Sequence, residues 1–427
     1  MRSDAVKNVV ALLKNDPQVS DYKINVTKKD SFEMFFVKGK LETVRATDTC
    51  DRKVTVYVDH DGFRGDASFY LYPSTTQAQM AEKVSEAVVS AKLICNAPYT
   101  LPAAETGAYT IASNLNEEPL PVLADKIAEA VFGANTQKDG SLNAVEVFLN
   151  HYTESVSNSR GLDKTQSRCD AMVEAIPTFN GDRESVELYE QYNFSALSLE
   201  ALTEEIAGKM TAVKARYEAE KPSFKMDGPV VLHKQELSDL FSAIAGDLNY
   251  STVYGHSNLL HKGDKLQKNC TGDPITVTMK GEVRGNIASA HFDGDGMSLT
   301  EITLVEEGTV KNYYGANRFG QYLDEKPTGS LGCLCVAPGT AQPIEGRPWL
   351  EVISMSGLQV DFFNDYIGGE IRLAYYHDGE KTLPVTGLSI SGKLQEILDR
   401  VKLSANTDTF DGYMGPATAV CEGFKIF

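Results

Sequence analysis

The residues whose spacing comes nearest to a metal site are His256 and His261, in the segment YGHSNLLH. A zinc hydrolase needs two imidazole ligands, a third ligand and a carboxylate base, often arranged on one helix as HExxH. None of the seven histidines is followed by Glu, and the residue after His256 is Ser257, which cannot act as a base. Five residues correspond to about 140° of rotation on a regular helix, so the two rings would not share a face. We therefore interpret both histidines as loop residues.

Two further groups of potential ligands fall short of a metal site. Cys333 and Cys335 would lie on one face of a strand, but no second CxC or CxxC motif supplies the other two ligands of a structural zinc site. Asp293 and Asp295, in HFDGDGMSLTE, begin like a calcium loop that lacks its third Asp or Asn and its distal Glu. These patterns favour a strand of small residues and a tight glycine turn.

Motifs for nucleophilic or nucleotide chemistry are missing as well. The segment GLSISG at 387–392 is one residue too long for GxSxG, and TGSLG at 328–332 does not fit that motif either. The sequence has no P-loop and no dinucleotide-binding fingerprint. From the residues alone, we expect a multi-domain soluble protein without a recognisable active site.

Charge and composition exclude several classes of partner. Lys and Arg number 41 against 59 Asp and Glu, which gives the 427-residue chain a net charge of −18. This charge disfavours contact with nucleic acids and with anionic membranes. No run approaches the ~18 apolar residues of a membrane span, and the segment MRSDAVKNVVALLKND predicts an amphipathic helix rather than a signal peptide. Seven scattered cysteines fit reduced thiols, so we expect a cytoplasmic protein.

The first half of the chain alternates between helical and extended patterns. Residues 4–14 and 75–95 have apolar side chains three or four positions apart, which predicts two helices. Between them, residues 22–72 follow a period of two with turn signals, which predicts an antiparallel meander. The next elements predicted are a helix, two strands and a long helix that Ser198 would cap: residues 122–132, 143–156, 167–179 and 198–219.

The second half has short strands and glycine turns. A strand at 230–232 precedes a helix at 234–246, and one more helix near 393–402 interrupts the strands. We predict an α+β protein: N-terminal helix and antiparallel-sheet units, followed by a β-rich C-terminal domain, barrel-like or a curled sheet. The proline-containing stretch 96–121 indicates a linker or an irregular excursion. The predicted domains are a first α+β domain, a central α+β segment and the β-rich domain: residues 1–95, 96–222 and 228–427.

Several segments, taken in order, resemble the TldD/PmbA family, whose members are described as modulators of DNA gyrase. The resemblance spans nearly the whole chain. Its segments are GKLETVRATDTCDRKVTVYVDHDGFRGDASF near the start, NAVEVFLNHYTESVSNSRG in the middle, and four in the second half: GPVVLHKQELSDLFSAIAGD, FDGDGMSLTEITLVEEGTVKNYY, PTGSLGCLCVAPG and LPVTGLSISGKLQEILDRV.

The resemblance implies one of two branches. The TldD branch looks like a metallopeptidase with an HExxGH helix, and the PmbA branch, also called TldE, shares the fold without those ligands. In this chain Ser242 and Ala243 stand where His and Glu would be, Gly246 is kept, and Asp247 stands where the second His would be. Cys421 is too near the end of the sequence to match the late cysteine ligand of the TldD branch. The chain thus resembles the PmbA/TldE branch, and we expect no catalytic and no metal-binding residues in it.

The resemblance implies a function that needs a second subunit. This chain would be the non-catalytic subunit, or pseudoenzyme, of a cytoplasmic metallopeptidase complex that acts on unfolded peptides or small proteins. Zinc would lie in a TldD-like partner, this chain would need no cofactor, and proteolysis would appear only in the mixed complex. A homodimer could form in isolation. Two alternatives stay open: a peptide-binding or scaffold homodimer without proteolysis, and a divergent hydrolase that uses Cys333 and Cys335 or His256 and His261.

Overall fold

The computed structural model describes residues 4–427, and the first half of the chain forms one eight-stranded sheet. The strands are β1 (Asp21–Val37), β2 (Lys40–His60), β3 (Phe63–Tyr70), β4 (Thr106–Thr110), β5 (Gly140–Asn158), β6 (Asp163–Phe179), β7 (Val186–Glu187) and β8 (Glu190–Phe194). Their order is β3-β2-β1-β5-β6-β4, and β7 and β8 also pair with β6. β4 runs parallel to β6, whereas the long neighbours β1, β2, β5 and β6 pair antiparallel.

Four helices pack against this sheet: α1 (Asp4–Asn15), α2 (Gln77–Ala91), α3 (Leu120–Gly133) and α4 (Leu199–Glu218). On β1, Ile24 packs with α1 and α2, and Met34 packs with α3 and α4. These two side chains are an even number of residues apart, so they lie on the same face of the strand. The helices therefore share one face of the sheet, which leaves the opposite face for other contacts.

Two local features explain where helices lie. Ser198 accepts a hydrogen bond from the backbone N–H of Ala201 at 3.2 Å, which confirms it as the N-cap of α4. At the end of α2, the backbone of β3 comes so close that a Cβ on Gly65 would lie 1.7 Å from the carbonyl oxygen of Ala91. Only glycine fits at that position, because any side chain would push the helix off the strand.

The second half forms two β-sheets around one helix. Its helices are α5 (Lys234–Asp247), α6 (Tyr250–Tyr254), α7 (Asn317–Tyr322) and α8 (Leu394–Arg400). Its strands are β9 (Val230–His233), β10 (Val277–Lys280), β11 (Glu301–Glu306), β12 (Thr309–Val310), β13 (Cys333–Val336), β14 (Trp349–Met355), β15 (Gln359–Asp361), β16 (Tyr366–His377), β17 (Thr382–Val385), β18 (Leu388–Lys393), β19 (Lys402–Leu403), β20 (Thr407–Phe410), β21 (Tyr413–Pro416), β22 (Thr418–Cys421) and β23 (Lys425–Ile426).

Helix α5 lies between the two sheets. One sheet has the order β12-β11-β10-β13-β21-β20, and the other has β19-β22-β9-β14-β16-β18-β23 with β15 and β17 also on β16. The helix contacts β13, β20 and β21 of the first sheet and β9, β15 and β22 of the second. Leu237, Leu240, Phe241 and Ile244 have no exposed surface and form part of the large core that joins both sheets. Packing on two sides therefore fixes the position of α5.

The α+β prediction is confirmed, including a curled, half-barrel sheet. One difference lies in the stretch 96–121, predicted as a linker or excursion, where Thr106–Thr110 forms β4. That strand depends on pairing with β6, about sixty residues away, so its own short sequence could not reveal it. Because β1 pairs with β5, the sheet continues across the predicted boundary between residues 95 and 96, and the three-domain division stays a prediction. None of the helices within residues 4–427 has the length and apolar character needed to cross a membrane.

The two halves of the chain meet at a buried lysine. Lys164 has no exposed surface, and its Nζ atom donates to the carbonyl oxygen of Gly296 at 3.1 Å and to Oγ of Ser298 at 2.6 Å. The same ammonium group pairs with Glu105 at 2.7 Å. Lys164 belongs to β6 in the first half, and Gly296 and Ser298 belong to a turn in the second. The lysine thus joins the two halves by charged hydrogen bonds.

Replacing Lys164 by Met should destabilise the protein by about 2 to 3 kcal/mol, because it removes charge-assisted hydrogen bonds from a buried site. Glu105 remains half exposed, so its carboxylate can be solvated after the change. Urea unfolding measures the effect. Lys7, whose side chain is 65% exposed, provides the control, and Lys7→Met should change stability by less than about 0.5 kcal/mol. Equal effects of the two substitutions would contradict the stabilising role of the contacts that Lys164 makes between the two halves.

Candidate functional site

The exposed strip of helix α5 carries the positions that the sequence singled out. Ser242 is exposed, and Ala243 and Asp247 are partly exposed. A Cβ on Gly246 would meet no atom within 4 Å, so the helix is open to its surroundings there. The structure therefore places the three predicted positions on one helix, on the side that does not pack into the core.

The side chain of Asp247 stabilises a neighbouring loop. Its carboxylate accepts hydrogen bonds from the backbone N–H groups of Leu259, at 2.9 Å, and Leu260, at 2.8 Å. These bonds hold the loop that contains His256 and His261. His256 has a positive φ of 53°, which is uncommon outside turns, and the backbone N–H of His261 donates to Asp264 at 2.8 Å. The pair thus lies in a loop, as the spacing predicted.

These residues do not fit a zinc ion. Neither a Ser nor an Ala side chain takes the places of His and Glu in a zinc-peptidase helix. The one carboxylate of the strip, that of Asp247, already accepts main-chain hydrogen bonds. Among residues 4–427, no group of three or more His, Cys, Asp or Glu side chains has an arrangement that could hold a metal. No hydrolytic step can therefore be assigned to α5.

The cysteines that the sequence analysis singled out, Cys333, Cys335 and Cys421, are buried in strands. Cys333 on β13 has no exposed surface and its Sγ lies 3.6 Å from Oγ of Ser289. Burial raises the pKa of Cys333, and it raises that of Cys335 to about 11. Cys421 on β22 is also fully buried, and burial raises its pKa to about 12. Such thiols stay protonated at neutral pH and have little nucleophilic character.

The segment that resembles a calcium loop is a tight turn. Oδ1 of Asp293 accepts from the backbone N–H of Asp295 at 2.9 Å and of Met297 at 3.0 Å. Its Oδ2 atom accepts from the backbone N–H of Ser330 at 2.9 Å. Burial raises the pKa of Asp293, with the nearby Asp295 carboxylate acting in the same direction. The carboxylate organises the chain, as expected for a glycine turn.

A cluster that the sequence did not reveal lies at the start of α5. Oε1 of Glu351 on β14 is 3.2 Å from Nε2 of His233, and Oε2 is 3.3 Å from Nε2 of His377. The ring of His377 stacks on Trp349 at 3.7 Å, and its Nδ1 is 3.0 Å from Oγ1 of Thr382. The three side chains come from β9, β14 and β16, so no sequence spacing connects them.

A cavity of about 770 Å³ lies beside this cluster, between the two halves of the chain. We call it the α4–β8 cavity, because residues 189–194, residues 196–198 and one side of α4 form its first wall. His233–Glu236 at the start of α5, Ile353, Tyr375 and residues 408–411 form the opposite wall. Its volume falls in the range of ~300 to 1,000 Å³ that is common for ligand sites. Sequence analysis missed it because its walls come from distant segments.

Comparison with known proteins relates the chain to one family. Residues 225–426 match the family model described as the PmbA/TldA metallopeptidase C-terminal domain. A Haemophilus influenzae protein named metalloprotease PmbA homolog is 25% identical over 179 residues, which are 40% of this chain and 39% of that relative. The aligned region therefore covers about two fifths of the relative's length.

Two solved structures share the fold over nearly their full length. TldE from Thermococcus kodakarensis is 15% identical, with a TM-score of 0.81 and 99% of each chain covered. A Thermotoga maritima protein described as a candidate modulator of a DNA gyrase is 14% identical, with a TM-score of 0.76 and 99% of each chain covered. At these identities the likeness shows the fold.

Replacing Glu351 by Gln should destabilise the protein by about 1 kcal/mol at neutral pH, since it removes a charged hydrogen-bond acceptor. The hydrogen bond from His233 holds the pKa of Glu351 below its ordinary value, although burial acts in the opposite direction. A carboxyl group whose pKa is lower in the folded state stabilises that state above its unfolded pKa, about 4.5. This stabilisation is lost as the pH falls through the lower, folded pKa.

The measurement is urea unfolding of both proteins at a series of pH values. The difference in stability should persist down to about pH 4.5 and shrink below it. Glu380→Gln serves as the control, because Glu380 is exposed and should show no such dependence. A difference that grows below pH 4.5 would show that the carboxylate does not stabilise the folded state.

Proposed function

The chain belongs to the TldD/PmbA/TldE family, and from this premise we propose that it is the non-catalytic subunit of a TldD/TldE-type metallopeptidase complex. The observation that carries the proposal is helix α5. The helix packs into the core, and by the resemblance to the TldD branch Ser242 and Ala243 stand where a metal ligand and a base would be. Asp247 uses its carboxylate to hold a loop. The catalytic zinc would lie in the TldD-like partner.

The contribution of this chain would be to complete an enclosed space and to hold unfolded substrate. A β-rich surface can bind an extended peptide by main-chain hydrogen bonds, which needs no special side chains. Substrates would accordingly be unfolded peptides or small proteins with few sequence requirements. An effect on DNA gyrase would be indirect, because a net charge of −18 opposes contact with DNA. The unbonded state of the seven cysteines supports a cytoplasmic location.

The alternative of a divergent hydrolase has less physical support. Burial raises the pKa of Cys333 and Cys335, which keeps both thiols protonated. His256 and His261 lie in an exposed loop whose geometry depends on backbone hydrogen bonds. A scaffold homodimer without proteolysis is distinguished from the proposed subunit by the second experiment below.

The proposed function predicts the zinc content of the protein. Protein purified without a His tag and without chelators should contain far less than one zinc ion per chain, because α5 lacks the ligands. Elemental analysis alongside a protein determination provides the measurement. A stoichiometric zinc that disappears in His256→Ala or His261→Ala would contradict the proposal and favour the divergent hydrolase.

The second prediction concerns the partner. Co-expression with a TldD-like subunit should give a mixed complex on size-exclusion chromatography, and only the mixture should degrade an unfolded peptide. An obligate interface of this kind buries more than about 2,000 Å². Each subunit alone is the control. Separate elution at micromolar concentration, or equal cleavage by the partner alone, would reject the subunit role.

A further inference from the structure

The α4–β8 cavity has two strand edges along its walls. β8 pairs with β6 on one side, and β20 pairs with β21 on one side; within residues 4–427 neither has a second strand partner. Residues 190–194 all line the cavity in succession, and so do residues 408–411. Neighbouring residues of a strand point to opposite faces, so a complete run of lining residues means that the strand edge, not one face, is turned to the cavity.

Side-chain bonds hold the two edges apart. Nδ2 of Asn193, on β8, donates to Oδ1 of Asp411, which follows β20, at 2.8 Å. Nζ of Lys234 donates to Glu205 on α4 at 2.5 Å and to Asp408 on β20 at 2.7 Å. These contacts connect the walls across the cavity and keep the backbone edges from pairing with each other. The space between the edges is thus bounded by hydrogen bonds that join residues of both halves of the chain.

The lining selects for a particular kind of occupant. Five acidic residues line the cavity, against two lysines: Glu190, Glu205, Glu236, Asp408 and Asp411, with Lys209 and Lys234. Lys209 pairs with Glu190, and Lys234 pairs with Glu205 and Asp408, so the lining keeps three more carboxyl groups than lysines. Apolar side chains provide much of the remaining wall, including Tyr192, Phe194, Leu202, Ile353, Tyr375 and Phe410. The cavity therefore favours a chain with positive and apolar side chains.

This cavity is separate from the positions of the lost metal motif. Glu236 lines the cavity near the start of α5, whereas Asp247 ends the helix. Eleven residues of helix at ~1.5 Å each place these two positions about 16 Å apart along the axis. The cavity is consequently a second feature of this chain, at the opposite end of the same helix.

We propose that the α4–β8 cavity binds an extended, positively charged polypeptide segment, which adds as a strand to the free edge of β8. Main-chain hydrogen bonds to β8 supply the attachment, and the acidic and aromatic walls accommodate alternate side chains. The inference deepens the proposed function and rests on it for the identity of the bound segment as substrate, whereas the binding itself requires neither a partner subunit nor proteolysis.

Gly208 offers a way to fill the cavity without disturbing the fold. It lies on α4 and lines the cavity, and a Cβ placed on it would meet no atom within 4 Å. Gly208→Phe should therefore fold normally and occupy the space where a peptide would lie. The matched control is Gly133→Phe, because Gly133 also lies on a helix with nothing within 4 Å of its Cβ and is not part of the cavity lining.

The probe is a fluorescein-labelled octapeptide of alternating lysine and valine, and fluorescence anisotropy measures its binding to the full-length chain alone. The wild type and Gly133→Phe should bind it with similar micromolar Kd, and Gly208→Phe should bind at least about tenfold more weakly. An octapeptide of alternating glutamate and valine should also bind at least about tenfold more weakly. No binding by the wild type, equal binding by Gly208→Phe, or tighter binding of the acidic peptide would overturn the proposal.

Backbone methylation tests the strand addition itself. Two lysine–valine octapeptides carry N-methyl groups on alternate residues, in one register or the other, so that each blocks the donors on one edge. The peptide blocked on the edge that faces β8 should lose binding, and its counterpart should retain it. Equal affinity of both for the wild type would mean that the peptide is held by side chains only. Neither measurement involves zinc or peptide cleavage, so the proposed subunit role and this site can fail separately.

Discussion

A lysine without access to water sets the relation between the two halves of this molecule. Lys164 on β6 is stable at that position only because Glu105, Ser298 and the carbonyl group of Gly296 surround its ammonium group. The turn that carries Gly296 and Ser298 must therefore stay against the sheet. Asp293 keeps that turn in shape through three backbone hydrogen bonds. The α4–β8 cavity has one wall in each half, so its dimensions depend on the same joint.

Helix α5 can keep its position without metal ligands because only one side of the helix packs into the core. Its buried side, with Leu237, Leu240 and Ile244, packs against strands of two sheets through apolar side chains. The exposed side, where Ser242 and Gly246 lie, adds little to that packing. Residues on the exposed side can thus change from ligands to inert side chains while the fold stays stable. On the same side of the helix, the carboxylate of Asp247 holds the neighbouring loop through the backbone of Leu259 and Leu260.

What the sequence could predict is set by how local each feature is. Helix 234–246 and the cap at Ser198 follow from apolar spacing and from one side chain bonded three residues along, so both were predictable. The cluster of His233, Glu351 and His377 depends on strands far apart in the chain that pair only after folding. Strand β4 was not predictable for the same reason, because it forms by pairing with β6, which is distant in the sequence. The cavity could not be predicted, because it depends on where two strand edges end rather than on any residue pattern.

The two ends of α5 suggest how a binding role and a partner's chemistry could be combined. Extended chain rises about 3.3 Å per residue, so a peptide that leaves the α4–β8 cavity needs about five residues to travel the length of α5 between Glu236 and Asp247. The cavity could hold one segment of a substrate on β8 while the residues that follow this segment approach the end of α5. The strip of Ser242, Ala243 and Gly246 carries no large side chain to obstruct that path. Attachment by main-chain hydrogen bonds would tolerate many sequences, which is what an unfolded substrate requires.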